Sequence, residues 1–412
     1  MLISQVFDNS QISLNDHSVE LGIKHGIKMT KQGIDDNFTC ESVAFVRTLV
    51  EQHIHNQICK KVPVENLKNF TAVRIKDSTR FQLPANLANA YPGNGGNASE
   101  AGAHIQFEFD LLSGRINDLH ITDATHQDAT DATESVEMIE SGSLILRDMG
   151  YFNMNVLEQI NERGAYFISR LKPRVKILES KAGCYQPIDI VKIHQQMKHN
   201  KIAYQELNVY IGEEKKLPVR LIIELMPEEI VNRRLAKANA VAKKKKWKVG
   251  EEYKAYASVN LFISNVPTQW LTTPQIHSMY RLRWQIELRF KIWKSYYHIH
   301  ANKKMKQHRF ETYLYATLLF IFINWEIVIN LFAIIKEQTG KILSVIKCFK
   351  ALANTFAILI EALFNSLEKL TSYLEQLYDT SCKQLLLEKR KCHLSLEDIL
   401  LEPEFCAVYY NK

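Results

Sequence analysis

Tyr280, Arg283, Glu287 and Lys294 follow one another at spacings of three, four and seven residues. On a helix turning about 100° per residue all four fall within roughly 60° of arc, and Lys291 shares it. One face would then carry a phenolic hydroxyl, several cations and a single carboxylate. Residues 280–310 hold nine Lys/Arg and one acid, Glu287. Surface pairing of Glu287 with Arg283 and Lys291, each four residues away, would leave most of those cations unmatched. A carboxylate that binds a divalent ion, among cations that bind phosphates, accounts for both signs. Arg289 projects about 160° from Glu287 and reads as a basic residue on the opposite face.

Phosphodiester cleavage by divalent ions needs hard oxygen ligands, and two ions about 3.5–4 Å apart need a bridging carboxylate. Strand ends can supply these. Asp77 closes a run with strand periodicity, Ala72 to Asp77, and Asp148 follows the short apolar run Ser143 to Leu146. Asp110, Asp118, Asp123 and Asp128 compete on the same grounds, and a lone Asp after a strand is more often a turn residue.

The elements that must position these groups follow from periodicity. His104 to Leu111 alternates, with Ile105, Phe107, Phe109 and Leu111 opposed to His104, Gln106, Glu108 and Asp110, which predicts a strand with one polar face. Ser113-Gly114 supplies a turn and Arg115 to Thr122 returns as a third strand. A helix over Ala132 to Glu140, the buried strand at Ser143, a helix over Met154 to Glu162 and a strand over Ala165 to Leu171 complete the order. That is a three-strand meander continued by strand-helix units, a mixed α/β arrangement and the order of a ribonuclease H-like core. Residues 172–270 break the rhythm with short alternating pieces and the acid-free run Arg233 to Lys248. Lys243, Lys244, Lys245 and Lys246 within it are candidate DNA contacts, although such runs are usually solvated surface.

The chain resembles the Tyr-Arg-Glu-Lys transposases of insertion sequence 4 type. Tyr280, Arg283, Glu287 and Lys294 match that family's spacing without a gap, and Arg283-Trp284-Gln285-Ile286-Glu287 is similar to its core motif. Asp148-Met149-Gly150-Tyr151 resembles the surroundings of the family's second aspartate and Lys76-Asp77-Ser78 those of the first, where Ser78 departs from the usual Gly or Ala. The resemblance covers residues 70–310. It implies a DNA transposase with Asp77, Asp148 and Glu287 as catalytic and metal-binding residues, two Mg²⁺ ions with Mn²⁺ as a substitute, and Tyr280, Arg283 and Lys294 on the DNA phosphates. Its partners would be double-stranded DNA, at the transposon ends and the target, and a second copy in the DNA complex. A tryptophan that stacks on a flipped base is also implied; Trp247 and Trp270 are present without a match to that role.

The expected organisation is a helical N-terminal region, 1–69, that binds DNA ends; the first part of the core, 70–171; a β-rich insertion, 172–270; the helix with Glu287, 271–310; and a helical C-terminal region, 311–412. A composition of 46% apolar and 24% charged residues predicts a folded protein. Seven singly scattered cysteines suggest neither a zinc ribbon nor a disulfide framework. With no export signal read at the N-terminus, the expected location is the cytoplasm. His53 and His55 lie on different helix faces and are expected to be solvated. Thr312 to Ile335 is apolar enough for a membrane span, but Asn324, Glu326 and Asn330 interrupt it, which predicts a buried helix of a protein with no membrane contact. The rival readings are an inactive DNA-binding relative and a membrane-anchored helical protein.

Overall fold

Side-chain caps start the first helices. Ser13, Thr30 and Thr39 each accept a backbone N–H at the head of α1 (Leu14–His25), α2 (Lys31–Asp36) and α3 (Cys40–His55). The chain then forms β1 (Val73–Leu83), β2 (Ala101–Asp110), β3 (Ile116–Asp123), α4 (Asp128–Glu134), β4 (Leu144–Arg147), α5 (Met154–Glu162) and β5 (Tyr166–Arg170). There follow β6 (Ile177–Lys181), β7 (Cys184–Pro187), α6 (Ile190–His199), β8 (Tyr204–Ile211), β9 (Leu217–Leu225), α7 (Glu228–Lys245), α8 (Glu251–Ala257) and β10 (Val259–Ser264). The remainder is helical: α9 (Thr273–Arg281), α10 (Trp284–Ser295), α11 (Gln307–Thr339), α12 (Val345–Asn365) and α13 (Leu367–Gln384). This computed structural model describes residues 13–61, 64, 67–95, 99–181, 183–246 and 248–387. The architecture is mixed α/β, divided into two units.

The first unit takes its described residues from Met1–Pro63, Asp77–His126 and Gln285–Leu396. Its strand β2 pairs antiparallel with β3, with Ile105 opposite Ile121 and Phe107 opposite Leu119. The apolar face of β2 meets helix aromatics: Phe107 lies 4.8 Å from Trp293 and 5.7 Å from Trp325, and Phe109 lies 5.2 Å from Trp325, centroid to centroid. Edge-to-face contacts of this kind add about 0.5–1.5 kcal/mol each beyond area burial. The other face is not solvated as its polarity predicts. All ten residues of β2 are buried, and His104 Nδ1 is held 3.1 Å from the His126 carbonyl, so this strand is covered on both sides. Gly114 makes the turn with φ +72°, where an added Cβ would lie 2.6 Å from Ile329, and the Trp325 indole donates to the Gly114 carbonyl over 2.6 Å.

Helix α11 is long and apolar enough to cross a membrane by length and composition alone, yet 61% of its most apolar window is buried within the protein. Its polar interruptions grip the N-terminal segment. Glu326 accepts the Ile58 N–H over 3.0 Å, and the Asn330 amide donates to the Ile58 carbonyl over 2.8 Å. His53 is not solvated as expected but sits 3.4 Å from the Glu326 carboxylate, because α3 packs lengthwise on α11.

The second unit takes its described residues from Val64–Lys76 and Gln127–Trp284. Here β4 lies parallel between the start of β1 and β5, with Val73 opposite Leu144 and Leu144 opposite Tyr166. Beyond β5 come β10, β9, β8, β6 and β7, paired antiparallel in that order. The segment expected as a β-rich insertion thus holds α6, α7 and α8 as well, and its strand β10 continues the sheet directly from β5. A core including Ile145, Phe167, Leu221, Ile223 and Ile263 fills one side of that sheet.

Candidate active site

β4 is buried throughout, as its uniformly apolar start requires of a central parallel strand. Its apolar run ends at Arg147, and Asp148 leads into a single 3₁₀ turn, Met149–Tyr151. Asp148 therefore stands at the carboxyl edge of parallel strands, the usual place for ligands in α/β sheets. Its side chain is 47% exposed. The Tyr280 hydroxyl donates to Asp148 Oδ1 over 3.4 Å, and Arg283 Nε lies 3.8 Å from the same oxygen. Burial pushes the Tyr280 hydroxyl up to about 12, so it remains a proton donor at neutral pH.

Helix α9 delivers Tyr280, and the turn that follows it delivers Arg283. The helix starts in a capping box between Thr272 and Gln275, with a proline in its first turn. Its Tyr280 ring packs 5.2 Å from Phe262 of β10. The single helix expected from Tyr280 to Lys294 is not formed. α9 ends at Arg281, the Arg283 N–H turns back to the Tyr280 carbonyl over 3.1 Å, and α10 starts at Trp284. Neither Gly nor Pro marks the break. Leu282 is fully buried, Arg283 is 6% exposed, and the guanidinium faces Asp148 and the Trp284 ring.

Glu287 is half-buried in the first turn of α10 and Lys291 is exposed. Lys294, also half-buried, donates to the Arg80 carbonyl over 3.2 Å, and burial lowers its pKa. Arg289 corrects the helical projection. It is 6% exposed, with its guanidinium 5.7 Å from the Phe109 ring and 5.2 Å from that of Trp325. We expect Arg289→Ala to lower stability by about 2–4 kcal/mol, because it removes packing and a cation–π interaction from a buried aromatic layer. Urea denaturation measures it; an unchanged midpoint would contradict the core role.

Asp77 does not close a strand: β1 continues to Leu83, with Asp77 half-buried inside it and Oδ1 accepting the Ser78 N–H over 2.8 Å. Its neighbour Lys76 is fully buried, 2.6 Å from Asp131, and pairs in register with Arg147. The residues before Asp77 and before Asp148 are thus direct partners in parallel strands. Of the competitors, Asp110 caps the β2–β3 turn through the Leu112 and Ser113 N–H groups, and Asp123 accepts the Thr125 N–H. Asp128 lies against Gly150, where an added Cβ would be 3.0 Å from its carboxylate. Asp118 sits within β3 opposite Glu108.

Lys243, Lys244, Lys245 and Lys246 are exposed at the end of α7, and no ion pair to them occurs among the described residues. Trp247 lies outside the described residues. Trp270 packs against Tyr166 and Phe70 at 4.9 and 5.7 Å. Arg170, which the sequence analysis does not single out, ends β5 beside the strand that leads to Asp148, and its charge lowers the Tyr280 hydroxyl slightly against the rise from burial.

Residues 68–323 match the family described as Transposase DDE domain. The transposase for insertion sequence element IS231E of Bacillus thuringiensis subsp. finitimus is 32% identical over 368 residues, 86% of this chain and 77% of that one. The transposase for insertion sequence element IS1151 of Clostridium perfringens is 30% identical over 344 residues, 80% of this chain and 72% of that one. Among solved structures, a piggyBac transposase synaptic complex with hairpin DNA is similar with a TM-score of 0.44 at 10% identity, covering 95% of this chain and 76% of that one.

Proposed function

The chain belongs to the DDE transposases of insertion sequence 4 type, enzymes that cut and rejoin DNA with divalent metal, and we propose that Asp77, Asp148 and Glu287 hold its ions. The observation that carries this is the convergence of Tyr280 and Arg283 on Asp148. Both contacts are long and the carboxylate is half-exposed, which leaves its oxygens open to a hard cation. An all-oxygen donor set suits two Mg²⁺, with Mn²⁺ as a substitute. Bound ions would supply Lewis acidity at the scissile phosphate.

The protein's own groups do the rest. Arg283 presents a forked donor to a phosphate, the Tyr280 hydroxyl adds a neutral donor, and Lys294 contributes a point charge. Arg170 joins them from the end of β5, and Lys291 adds charge on α10. Two chemical steps follow: water cleaves the strand at the element end, and the freed 3′-hydroxyl attacks target DNA.

The core is read as ribonuclease H-like, formed by residues 70–171 and 271–310 around the insertion at 172–270. Residues 1–69 are assigned to end binding, and the active form is read as a homodimer on DNA in the cytoplasm. Incubation of the purified protein with its flanking DNA ends and Mg²⁺ tests the reading; intact ends after prolonged incubation would refute it. If Lys243, Lys244, Lys245 and Lys246 lie along DNA, replacing all four with Gln will flatten the plot of log affinity against log salt by about 0.9 for each phosphate no longer neutralised. An unchanged slope would return that run to solvated surface.

A further inference from the structure

Two polar clusters join the strands β8 and β9 to α9. At the approach to the helix, Arg220 of β9 forks onto Glu206 of β8 at 2.8 and 2.9 Å, and donates to the Val266 and Leu271 carbonyls at 2.7 and 3.0 Å. The Thr273 hydroxyl, in the first turn of α9, donates to the same Glu206. One turn further along the helix, His277 Nδ1 lies 3.1 Å from Glu224 of β9. Glu224 also accepts from the Asn260 amide at 2.8 Å and the Tyr204 hydroxyl at 3.1 Å. The His277 ring lies 5.3 Å from Phe262, and the Tyr280 ring lies 5.2 Å from that same Phe262.

We propose that Glu224 and His277 are positioning residues: braced by the Arg220–Glu206 fork, they fix the rotation and height of α9 so that Tyr280 and Arg283 meet Asp148. This assigns β8 and β9 a task in the chemistry, as the abutment of the helix that bears Tyr280 and leads into Arg283. α9 spans nine residues, too short to be stable alone. Its buried face offers Phe262 only a sliding apolar contact, whereas hydrogen bonds to a carboxylate have one register. Although burial pushes it upward, hydrogen bonds led by the one from His277 hold the Glu224 carboxyl below its ordinary value, so it stays charged. His277 stands three residues before Tyr280, on the same side of the helix. Loss of its bond frees α9 to turn about Phe262 and carries the Tyr280 hydroxyl away from Asp148.

The inference rests on the transposase reading for its consequence, not for its geometry, and the test separates the two. His277→Phe keeps a ring on Phe262 and removes the donor; His277→Asn restores a donor near the position of Nδ1. A 3-fluorotyrosine at position 280 reports the surroundings of that ring by ¹⁹F NMR without DNA. His277→Phe is expected to shift that resonance, to slow single-turnover nicking about tenfold, and to leave end affinity within about twofold. His277→Asn is expected to recover most of both effects. In a Tyr280→Phe background the same His277→Phe change should cost less than in the unmodified protein, because the part of its effect that acts through the hydroxyl is already gone and only the part through Arg283 remains. Should His277→Phe not fold, Glu224→Gln, which keeps volume and an acceptor, takes its place with the same non-additivity. Fully additive effects, or an unmoved resonance in a folded variant, would overturn the positioning role. A shifted resonance in a protein whose wild type cuts no DNA would uphold it and refute the transposase chemistry instead.

Discussion

Asp148→Asn and Glu287→Gln are each expected to lower strand cleavage by roughly 10³-fold or more. A metal-binding carboxylate contributes several kcal/mol of charge stabilisation, and each 1.4 kcal/mol is about tenfold in rate. The substitutions hold side-chain volume and remove one charge. At Asp148 the retained amide oxygen still accepts from Tyr280, so the 3.4 Å contact and the turn at Met149–Tyr151 survive. Neither position lies in the apolar core, since both are half-buried, and thermal midpoints should shift by only a few degrees. DNA binding should persist or tighten slightly, because the phosphates lose a repelling carboxylate while Arg283, Lys291 and Lys294 remain. Gel assays of nicking with Mg²⁺, beside binding measurements in Ca²⁺, separate the two effects. Substantial cleavage by either purified, folded variant would remove that carboxylate from the site.

How much of this was legible in the sequence depends on which forces set each element. Period-two alternation located β1 and β2, the turn at Ser113-Gly114 located β3, and a short apolar run located the strand at Leu144, because each of these patterns is local. The alternation ran on past Asp77, since Thr79, Phe81 and Leu83 are buried while Arg80 and Gln82 are exposed. Asp77 reads as a strand end only because Asp favours turns in isolation. The inward polar side of β2 was not legible. His104, Gln106 and Glu108 are buried by what covers them, and no local rule announces a second covered face.

The helix carrying the motif shows the limit most clearly. Leu282 and Arg283 are both good helix formers, and the spacing from Tyr280 to Lys294 fits one continuous helix. Its interruption is tertiary: Leu282 is drawn into the core and Arg283 toward Asp148. Two of the motif's residues, Tyr280 and Arg283, still meet at Asp148 although the backbone between them is not a regular helix. Projection failed where it assumed that a charged residue on the far side faces water, as the burial of Arg289 shows.

Arg283→Ala is expected to slow the chemical step by about 10²-fold while weakening end binding far less. Removing one well-aimed donor from a developing anion costs rate on that order, whereas binding is shared among many cations. The burial of Arg283 sharpens the expectation. At 6% exposure, beside Asp148 and against the Trp284 ring, the guanidinium is held in place before any phosphate arrives, so little ordering cost remains at the reaction. Lys294→Ala should have a smaller effect of the same kind, since a half-buried ammonium resting on the Arg80 carbonyl is a point charge without a fork. Arg283→Lys should recover little, because one ammonium cannot serve both Asp148 and a phosphate in the geometry of two parallel N–H groups. Comparison with Arg289→Ala removes the trivial explanation. That variant should lose rate only in proportion to its loss of stability, while Arg283→Ala should lose rate far beyond what its own fall in thermal midpoint accounts for. Single-turnover nicking, equilibrium end binding and thermal denaturation of the four variants supply the comparison. If Arg283→Lys cuts DNA as fast as the unmodified protein, the forked contact with the phosphate is not part of the mechanism.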